Sequence, residues 1–234
     1  QIENCPEQAF VALALNAIRA VKVPVNISLS ARELGFVLSQ SESEFLVTGC
    51  TIKLKQGETG VKKIITLPGA QCDTDLPITG WEDFLAAGEG FELSESEDEA
   101  YADEPSDIIY TSGSTKAPKG VVLTHDMLMR SAFASCMNRG FEIGRRVFVP
   151  LPMFHVYGYV EGMLAAILVG GAVLLKKGKF QAEPVLDFME ESGANDILSV
   201  PSQMMALISS LKEHPRKLSA LHAVYCSAAV CPAW

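Results

Sequence analysis

Apolar positions along the chain change repeatedly between a spacing near 3.6, typical of helices, and short runs typical of strands. The runs at residues 147–149 and 197–200 are apolar on both faces, as expected for parallel strands covered by helices. Helices are predicted at residues 6–21, from Ser30 onward, and at 81–87, 124–138, 157–169, 184–192 and 202–211. Strands are predicted at residues 23–27, 45–48, 61–67, 146–151, 172–176, 197–200 and 221–227. We therefore expect an α/β fold of layered, mostly parallel sheets with helices on both faces.

Two helix starts carry recognisable capping signals. Ser30 is followed three residues later by Glu33, which predicts a capping box. Thr124 can cap the helix that follows it, and Asp126 then lies in the first turn, where the helix dipole favours a carboxylate.

Two apolar runs, Ile108–Tyr110 and Val121–Leu123, enclose the polar stretch Tyr-Thr-Ser-Gly-Ser-Thr-Lys-Ala-Pro-Lys-Gly at residues 110–120. This arrangement predicts a β-hairpin whose tip carries four Ser/Thr hydroxyls, two lysines and two glycines. Hydroxyl groups, ammonium groups and backbone N–H groups gathered at one point suit a polyphosphate ligand. A plain polar turn is the alternative, because Ser, Gly and Pro favour turns by themselves.

Two familiar nucleotide-binding patterns do not fit this stretch. A P-loop requires G-x-x-x-x-G-K-[ST] between a strand and a helix, whereas Pro118 follows Gly113 five residues later and a strand follows the loop. A G-x-G-x-x-G dinucleotide fingerprint is absent as well.

Composition adds a division into domains. The chain has 234 residues, 48% of them apolar, and a net charge of −9, but residues 82–107 alone carry eleven carboxylates without Lys or Arg. We interpret residues 88–107 as a solvated acidic linker between a first α/β portion, residues 1–87, and residues 108–234, which hold the hairpin and a second α/β portion.

The charge distribution and the cysteines exclude some partners. The rest of the chain is nearly neutral, so no basic patch favours nucleic-acid binding. Six scattered cysteines without a CxxC pair predict buried free thiols, not a zinc site. The longest apolar stretch, residues 163–175, is too short to cross a bilayer. A cytoplasmic location is the expectation, with peroxisomal or other organellar targeting left open because the chain begins with Gln1.

The order of residues in the polar stretch resembles the phosphate-binding signature of the adenylate-forming (AMP-binding) superfamily. The usual signature is Thr-Ser-Gly-(Ser/Thr)-Thr-Gly-x-Pro-Lys-Gly, and the chain matches every fixed position except Lys116, where glycine is usual. Similarity continues at residues 20–34, at Val121-Val122-Leu123-Thr124-His125, at Leu151–Gly158 and at Leu221–Ala229. The chain resembles acyl- and aryl-CoA synthetases most, since Phe154-His155 stands where peptide-synthetase adenylation domains usually have Phe-Asp.

This resemblance implies an activity and its cofactors. Such enzymes use ATP and Mg²⁺ to convert a carboxylic acid, fatty or aryl, into an acyl-adenylate, and then transfer the acyl group to coenzyme A. The resemblance also implies an incomplete N-terminal domain of the adenylate-forming fold, with the hairpin as its phosphate loop, and a chain that self-associates through uncovered sheet edges.

The resemblance also implies roles for particular residues. The phosphate-binding set is Thr111, Ser112, Gly113, Ser114, Thr115, Lys116, Lys119 and Gly120, with Thr115 also approaching magnesium. The acid-binding set is Phe154, His155, Tyr157, Gly158, Ser227, Ala228 and Ala229, and His155 is the candidate catalytic residue that gates the acyl site or the thiol channel. Gly120 is expected to supply backbone freedom where the loop returns to a strand.

Three alternatives remain at this point. Within the class, a fatty acyl-AMP ligase that donates to a carrier protein and a peptide-synthetase adenylation domain stay open. Outside the class, Lys116 and the length of the chain also fit a non-catalytic nucleotide- or acyl-binding remnant or a scaffold fragment.

Overall fold

The computed structural model describes residues 1–92, 99–111 and 118–230. These residues form two compact units, one comprising Gln1–Glu3 and Phe10–His125 and the other comprising Asn4–Ala9 and the chain from Asp126 onward. The division therefore falls after His125, and the hairpin belongs to the first unit instead of the second. Among the described residues, no helix has the length and apolar character needed to cross a membrane.

Helices occupy most of the predicted positions. They are α1 (Pro6–Ala17), α2 (Ala31–Gln40), α3 (Trp81–Ala86), α4 (His125–Arg139), α5 (Val156–Gly158), α6 (Ala165–Leu168), α7 (Ala182–Ser192) and α8 (Pro201–Glu213). The helix predicted over residues 157–169 is wrong as a continuous α-helix, because a π-helical turn, Tyr159–Leu164, separates α5 from α6. The capping box before α2 is confirmed: the Glu33 carboxylate accepts from the Ser30 N–H at 2.9 Å.

The strands are short and, outside one hairpin, parallel. They are β1 (Phe45–Thr48), β2 (Ile52–Lys53), β3 (Lys63–Thr66), β4 (Cys72–Asp73), β5 (Ile78–Gly80), β6 (Pro105–Thr111), β7 (Lys119–Thr124), β8 (Arg146–Phe148), β9 (Ala172–Leu174), β10 (Asp196–Ser199) and β11 (Ala223–Cys226). The sequence did not predict strands β2, β4 and β5, because strands of two or three residues are too short to show a periodic pattern of apolar positions.

The first unit holds a three-stranded parallel sheet of order β1-β3-β5, the parallel pair β2-β4 and the antiparallel hairpin β6-β7. Its core is a cluster of buried aliphatic side chains to which α2 contributes Leu34, Val37 and Leu38 and the three-stranded sheet contributes Leu46 and Ile64. The hydrophobic face of α2 thus covers this sheet. The antiparallel hairpin predicted from the apolar runs is confirmed.

The second unit is built on a four-stranded parallel sheet of order β11-β10-β8-β9. Phe148 and Ile197 of the sheet pack against Val185, Leu186 and Met189 of α7, and all five side chains are buried. The adjacent residues Val147 and Phe148 of β8, and Ile197 and Leu198 of β10, are all buried, so both faces of these two inner strands are covered at these positions, as the sequence predicts.

A buried ion pair ties the start of the hairpin to the segment after α1. The Lys22 ammonium lies 2.9 Å from Asp107 Oδ1, and Asp107 is completely buried. Lys22 Nζ also donates to Asn16 Oδ1 at 2.9 Å, and the Ser106 hydroxyl donates to the Asp107 carboxylate at 2.8 Å. Burial lowers the pKa of Lys22, and the Asp107 carboxylate opposes that shift.

This arrangement corrects two predictions. Residues 105–107 belong to β6 with Ser106 and Asp107 buried, so the end of the predicted acidic linker is part of the fold. The strand predicted at residues 23–27 is reduced to one parallel bridge, in which the Lys22 N–H donates to Ser106 O and the Ile108 N–H donates to Lys22 O. Pro24 offers no N–H group to extend the pairing.

Replacing Lys22 with Ala should lower the free energy of unfolding by about 3–5 kcal/mol, because it leaves the Asp107 carboxylate buried without its cation. Lys62→Ala is the matched control, since Lys62 pairs with Glu44 at 2.5 Å on the surface and should cost less than about 1 kcal/mol. Urea unfolding monitored by circular dichroism measures both. Equal costs for the two substitutions would contradict the role assigned to the buried pair.

Candidate functional site

The hairpin brings two of the predicted phosphate-binding residues together. Thr111, the last residue of β6, is the cross-strand partner of Lys119, the first residue of β7, and both side chains are exposed. Directly opposed residues in an antiparallel pair have their Cβ atoms about 5 Å apart. Thr111 and Lys119 therefore project from opposed positions at the end of the hairpin nearest its tip. Ser112, Gly113, Ser114, Thr115 and Lys116 lie outside the described residues.

Packing fixes this end of the hairpin. Tyr110 packs against the core cluster of the first unit, and its hydroxyl donates to Val37 O at 3.5 Å. Gly120 pairs with Tyr110, and a Cβ atom built on Gly120 would lie 2.7 Å from Ile108 Cγ2 and 3.2 Å from Tyr110 Cζ. The expected reason for this glycine is wrong, because Gly120 does not have a positive φ; it is required because the neighbouring side chains occupy the space of a Cβ.

The substitution Gly120→Ala should lower the free energy of unfolding by about 1–3 kcal/mol, because Ile108 and the Tyr110 ring must move. The control Gly35→Ala lies in α2, where a new Cβ meets no atom within 4 Å. It should raise the free energy of unfolding by about 0.5–1 kcal/mol, through helix propensity. Thermal unfolding monitored by circular dichroism gives the sign of each change, and a stabilising Gly120→Ala would refute the packing argument.

The predicted acid-binding residues of the second unit follow the carboxyl ends of its parallel strands. Residues 151–158 come shortly after β8, and residues 227–229 come directly after β11. The carboxyl ends of parallel strands meet at one edge of a sheet, and this edge is where open α/β sheets bind ligands. Tyr157 is fixed there, since its hydroxyl donates to Tyr225 O at 3.1 Å and lies 3.4 Å from Ser199 O.

Tyr157 is buried, and burial raises the pKa of its phenol to about 12. Its hydroxyl is engaged by two backbone carbonyl groups, and the Arg139 guanidinium carbon lies 6.0 Å from the centroid of its ring. The rings of Phe154 and His155, which precede Tyr157 in sequence, lie with their centroids 4.5 Å apart and their planes inclined by 55°. His155 is exposed, and partial desolvation of its imidazole lowers its pKa, which favours the neutral form.

Gly158 is buried by close backbone packing. A Cβ atom on it would lie 2.7 Å from Pro152 O and 3.0 Å from Leu151 O. This approach holds the 151–155 segment against the start of α5. Ser227, Ala228 and Ala229 are exposed, and Ala228 has a φ of 69°, in the left-handed region that residues with a Cβ rarely adopt. Such a backbone is typical of a constrained turn.

The metal-binding prediction rests on Thr115, which lies outside the described residues. Within the part of the chain that the structure describes, no three side chains of the types His, Cys, Asp or Glu lie together to hold a metal ion.

A charged cluster lies at the opposite edge of the four-stranded sheet. Asp196, the first residue of β10, is completely buried and lies 3.6 Å from Arg145 Nε and 3.9 Å from His222 Nδ1. Burial raises the pKa of Asp196, although Arg145 and His222 oppose the shift. Because it starts a strand instead of ending one, we assign this cluster to folding and not to the site.

The variant Asp196→Asn tests that assignment. A carboxyl whose pKa is higher in the folded than in the unfolded state destabilises the fold once the pH rises above its ordinary value of 3.8. The stability of Asp196→Asn relative to the unmodified chain should therefore increase from acid to neutral pH. Asp187→Asn, whose exposed carboxylate pairs with Arg216, is the control. Urea unfolding across this pH range measures both, and parallel profiles would contradict the assignment.

Sequence reasoning missed a polar cleft in the second unit, with a volume of about 400 Å³. Its lining residues are Ser131, Ser135, Asn138, Arg139, Glu161 and Tyr225. The available signal was the recurrence of Ser131, Ser135 and Arg139 at intervals of four residues, which places them on one face of α4.

Comparison with known proteins identifies the family. The model of the AMP-binding enzyme family matches residues 1–233, and the chain belongs to this family. Long-chain-fatty-acid–CoA ligase FadD13 of Mycobacterium tuberculosis is 32% identical over 74% of this chain and 33% of its own length. Probable CoA ligase CCL9 of Humulus lupulus is 31% identical over 85% of this chain and 38% of its own.

Other relatives are also much longer than this chain. It covers 41% of 4-coumarate–CoA ligase 1 of Oryza sativa, at 25% identity over 97% of its own length. Among solved structures, a long-chain-fatty-acid-CoA ligase (FadD1) from Archaeoglobus fulgidus matches with a TM-score of 0.76 and 22% identity, over 99% of this chain and 45% of that one. The chain therefore has the fold of the N-terminal domain of adenylate-forming enzymes and spans less than half of these relatives.

Proposed function

We propose that this chain is the ATP- and acid-binding part of an acid–thiol ligase that forms AMP. In the first step a carboxylate oxygen attacks the α-phosphorus of ATP, the bond to the β-phosphate oxygen breaks, and pyrophosphate leaves. In the second step the thiolate of coenzyme A attacks the carbonyl carbon and AMP leaves. The observation that carries the proposal is the hairpin, which places Thr111 beside Lys119 in a chain of the AMP-binding family.

The proposed work of the hairpin is to hold the phosphates. Lys119 supplies an ammonium group and Thr111 a hydroxyl, and charge-assisted hydrogen bonds of this kind are the strong ones. The residues between them, Ser112 to Lys116, are proposed to add backbone N–H and hydroxyl donors. Bound Mg²⁺ would neutralise charge on the phosphates, with Thr115 as the residue proposed to approach it.

The second unit is proposed to bind the acid at the carboxyl edge of its parallel sheet. Phe154 offers an apolar contact, the hydrogen bonds of Tyr157 and the close packing of Gly158 fix the segment, and Ser227, Ala228 and Ala229 border the same edge. His155 is proposed to gate access. Its lowered pKa supports a neutral side chain that contacts the acid or thiol without adding positive charge.

Coenzyme A is the proposed acceptor, because the relatives named above are CoA ligases. A carrier protein is the alternative acceptor, and the cytoplasm is the proposed location. The exposed apolar side chains of Phe133 and Met137, which lie one turn apart on α4, support the further proposal that this chain associates with itself in solution.

Substitution of Lys119 tests the phosphate contact. Lys119→Ala should weaken ATP binding to this chain by about 10- to 100-fold, the range expected for losing a hydrogen bond to a charged group. Lys62→Ala removes an equally exposed lysine of the same unit and should leave the affinity unchanged. Isothermal titration with ATP measures both, and equal affinities for the two variants would argue against the proposed clamp.

Acid-dependent exchange of labelled pyrophosphate into ATP separates catalysis from binding. We expect exchange from the longest form of the protein that its gene encodes, with Lys116 present or replaced by Gly. ATP binding without exchange in both forms would favour a non-catalytic nucleotide-binding protein. Absence of both binding and exchange would rule out the proposed function.

A further inference from the structure

The polar cleft is built by three separate elements. Helix α4 presents Ser131, Ser135 and Arg139 from successive turns of one face, and β11 contributes Tyr225. Glu161 comes from the π-helical turn Tyr159–Leu164. Single π-helical turns within longer helices are frequent at functional sites. The other residues of this turn, apart from Glu161, are buried, so the turn exposes one carboxylate to the cleft.

An ion pair occupies the wall of the cleft. Arg139 Nη2 lies 2.5 Å from Glu161 Oε2, and Arg139 Nη1 also donates to the Ser135 hydroxyl. The Tyr225 hydroxyl donates to Arg139 O at 2.6 Å and fixes the end of α4. Since the two charges compensate, the cleft presents hydrogen-bond donors and acceptors without an excess of either charge.

Arg139 connects the cleft to the proposed acid site. Its guanidinium carbon lies 6.0 Å from the centroid of the Tyr157 ring and 5.5 Å from that of Tyr225. Tyr157 is one of the residues proposed to form the acid site, and its hydroxyl is held by backbone carbonyl groups. The polar cleft therefore adjoins the proposed acid site through Arg139.

We propose that the polar cleft receives the end of the acid remote from its carboxylate, and that this end carries a neutral hydroxyl group. The proposal rests on the proposed function. A hydroxyl both donates and accepts, as the cleft requires. An alkyl end would remove water from Arg139 and Glu161 without replacing its hydrogen bonds, which is costly. An ammonium or carboxylate end would meet one like charge of the ion pair.

Matched acids test the proposal on the longest form of the protein that its gene encodes. Pyrophosphate exchange is measured with octanoic acid, 8-hydroxyoctanoic acid and octanedioic acid. A site that hydrogen-bonds a hydroxyl discriminates strongly against the analogue that lacks it, so kcat/KM should favour the hydroxy acid over octanoic acid by about 10-fold or more. Octanedioic acid should be a poor substrate.

The variant Glu161→Gln should change the preference among these acids, which a general loss of stability or activity would not do. It keeps the size of the side chain but removes the charge that compensates Arg139, so octanedioic acid should gain at least about 10-fold relative to 8-hydroxyoctanoic acid. Glu183→Gln is the control. Glu183 lies on α7 of the same unit, where it pairs with Arg216, so this variant should leave the acid preference unchanged.

The outcomes separate this proposal from the proposed function. Equal or better exchange with octanoic acid, or an unchanged preference in Glu161→Gln, overturns the polar cleft as the specificity site and leaves the ligase intact. Absence of exchange with these acids and with every other carboxylic acid overturns both.

Discussion

The ion pair between Lys22 and Asp107 is the constraint on which the geometry of the hairpin depends. It joins two segments that are 85 residues apart in sequence, and both partners are buried. The carboxylate it fixes lies four residues before Thr111, at the start of the strand that leads to the proposed phosphate-binding stretch. Asn16 and Ser106 add hydrogen bonds to Lys22 and to Asp107 Oδ2, while, among the described residues, Asp107 Oδ1 relies on the adjacent Lys22 ammonium alone. At the other end of the strand, Tyr110 packs against the core cluster and its hydroxyl donates to Val37 O, which holds the hairpin to the core. The two anchors determine where the paired Thr111 and Lys119 emerge.

A different constraint acts in the second unit. There, the common direction of the parallel strands determines at which edge of the sheet the residues of the proposed site lie. Tyr157 is tied to Ser199 at the end of β10 and to Tyr225 of β11, and Gly158 is packed against carbonyl groups that follow β8. The buried Asp196 lies where the same strands begin. One edge of the sheet therefore holds exposed turns and an aromatic face, whereas the other holds a charged group enclosed by the fold.

Local features of the sequence predicted most of the fold. The hairpin, the capping box at Ser30 and the strand at residues 45–48 depend on neighbours within a few positions, and all three are present. Family membership was also predictable, because the signature around Lys119 is contiguous. Features that depend on residues distant in sequence were not predictable. The sequence alone does not distinguish Lys22 from a surface lysine, because its partner Asp107 is distant along the chain. It also suggests that Gly120 supplies a flexible turn, because it does not show that the Tyr110 ring fills the space next to this glycine. The polar cleft needs Arg139, Glu161 and Tyr225 from three elements, and no local pattern relates them.

The π-helical turn gives this architecture an evolutionary consequence. Such a turn contains one residue more than an α-helical turn would need, and each residue of a helix advances its face by about 100°. Deleting one residue between Glu161 and Leu164 would restore a regular helix and rotate Glu161 by about 100° relative to the residues that follow, away from Arg139. A family with this fold can therefore acquire or lose an ion pair beside the proposed acid site through one insertion or deletion, without substituting any residue proposed to contact the nucleotide.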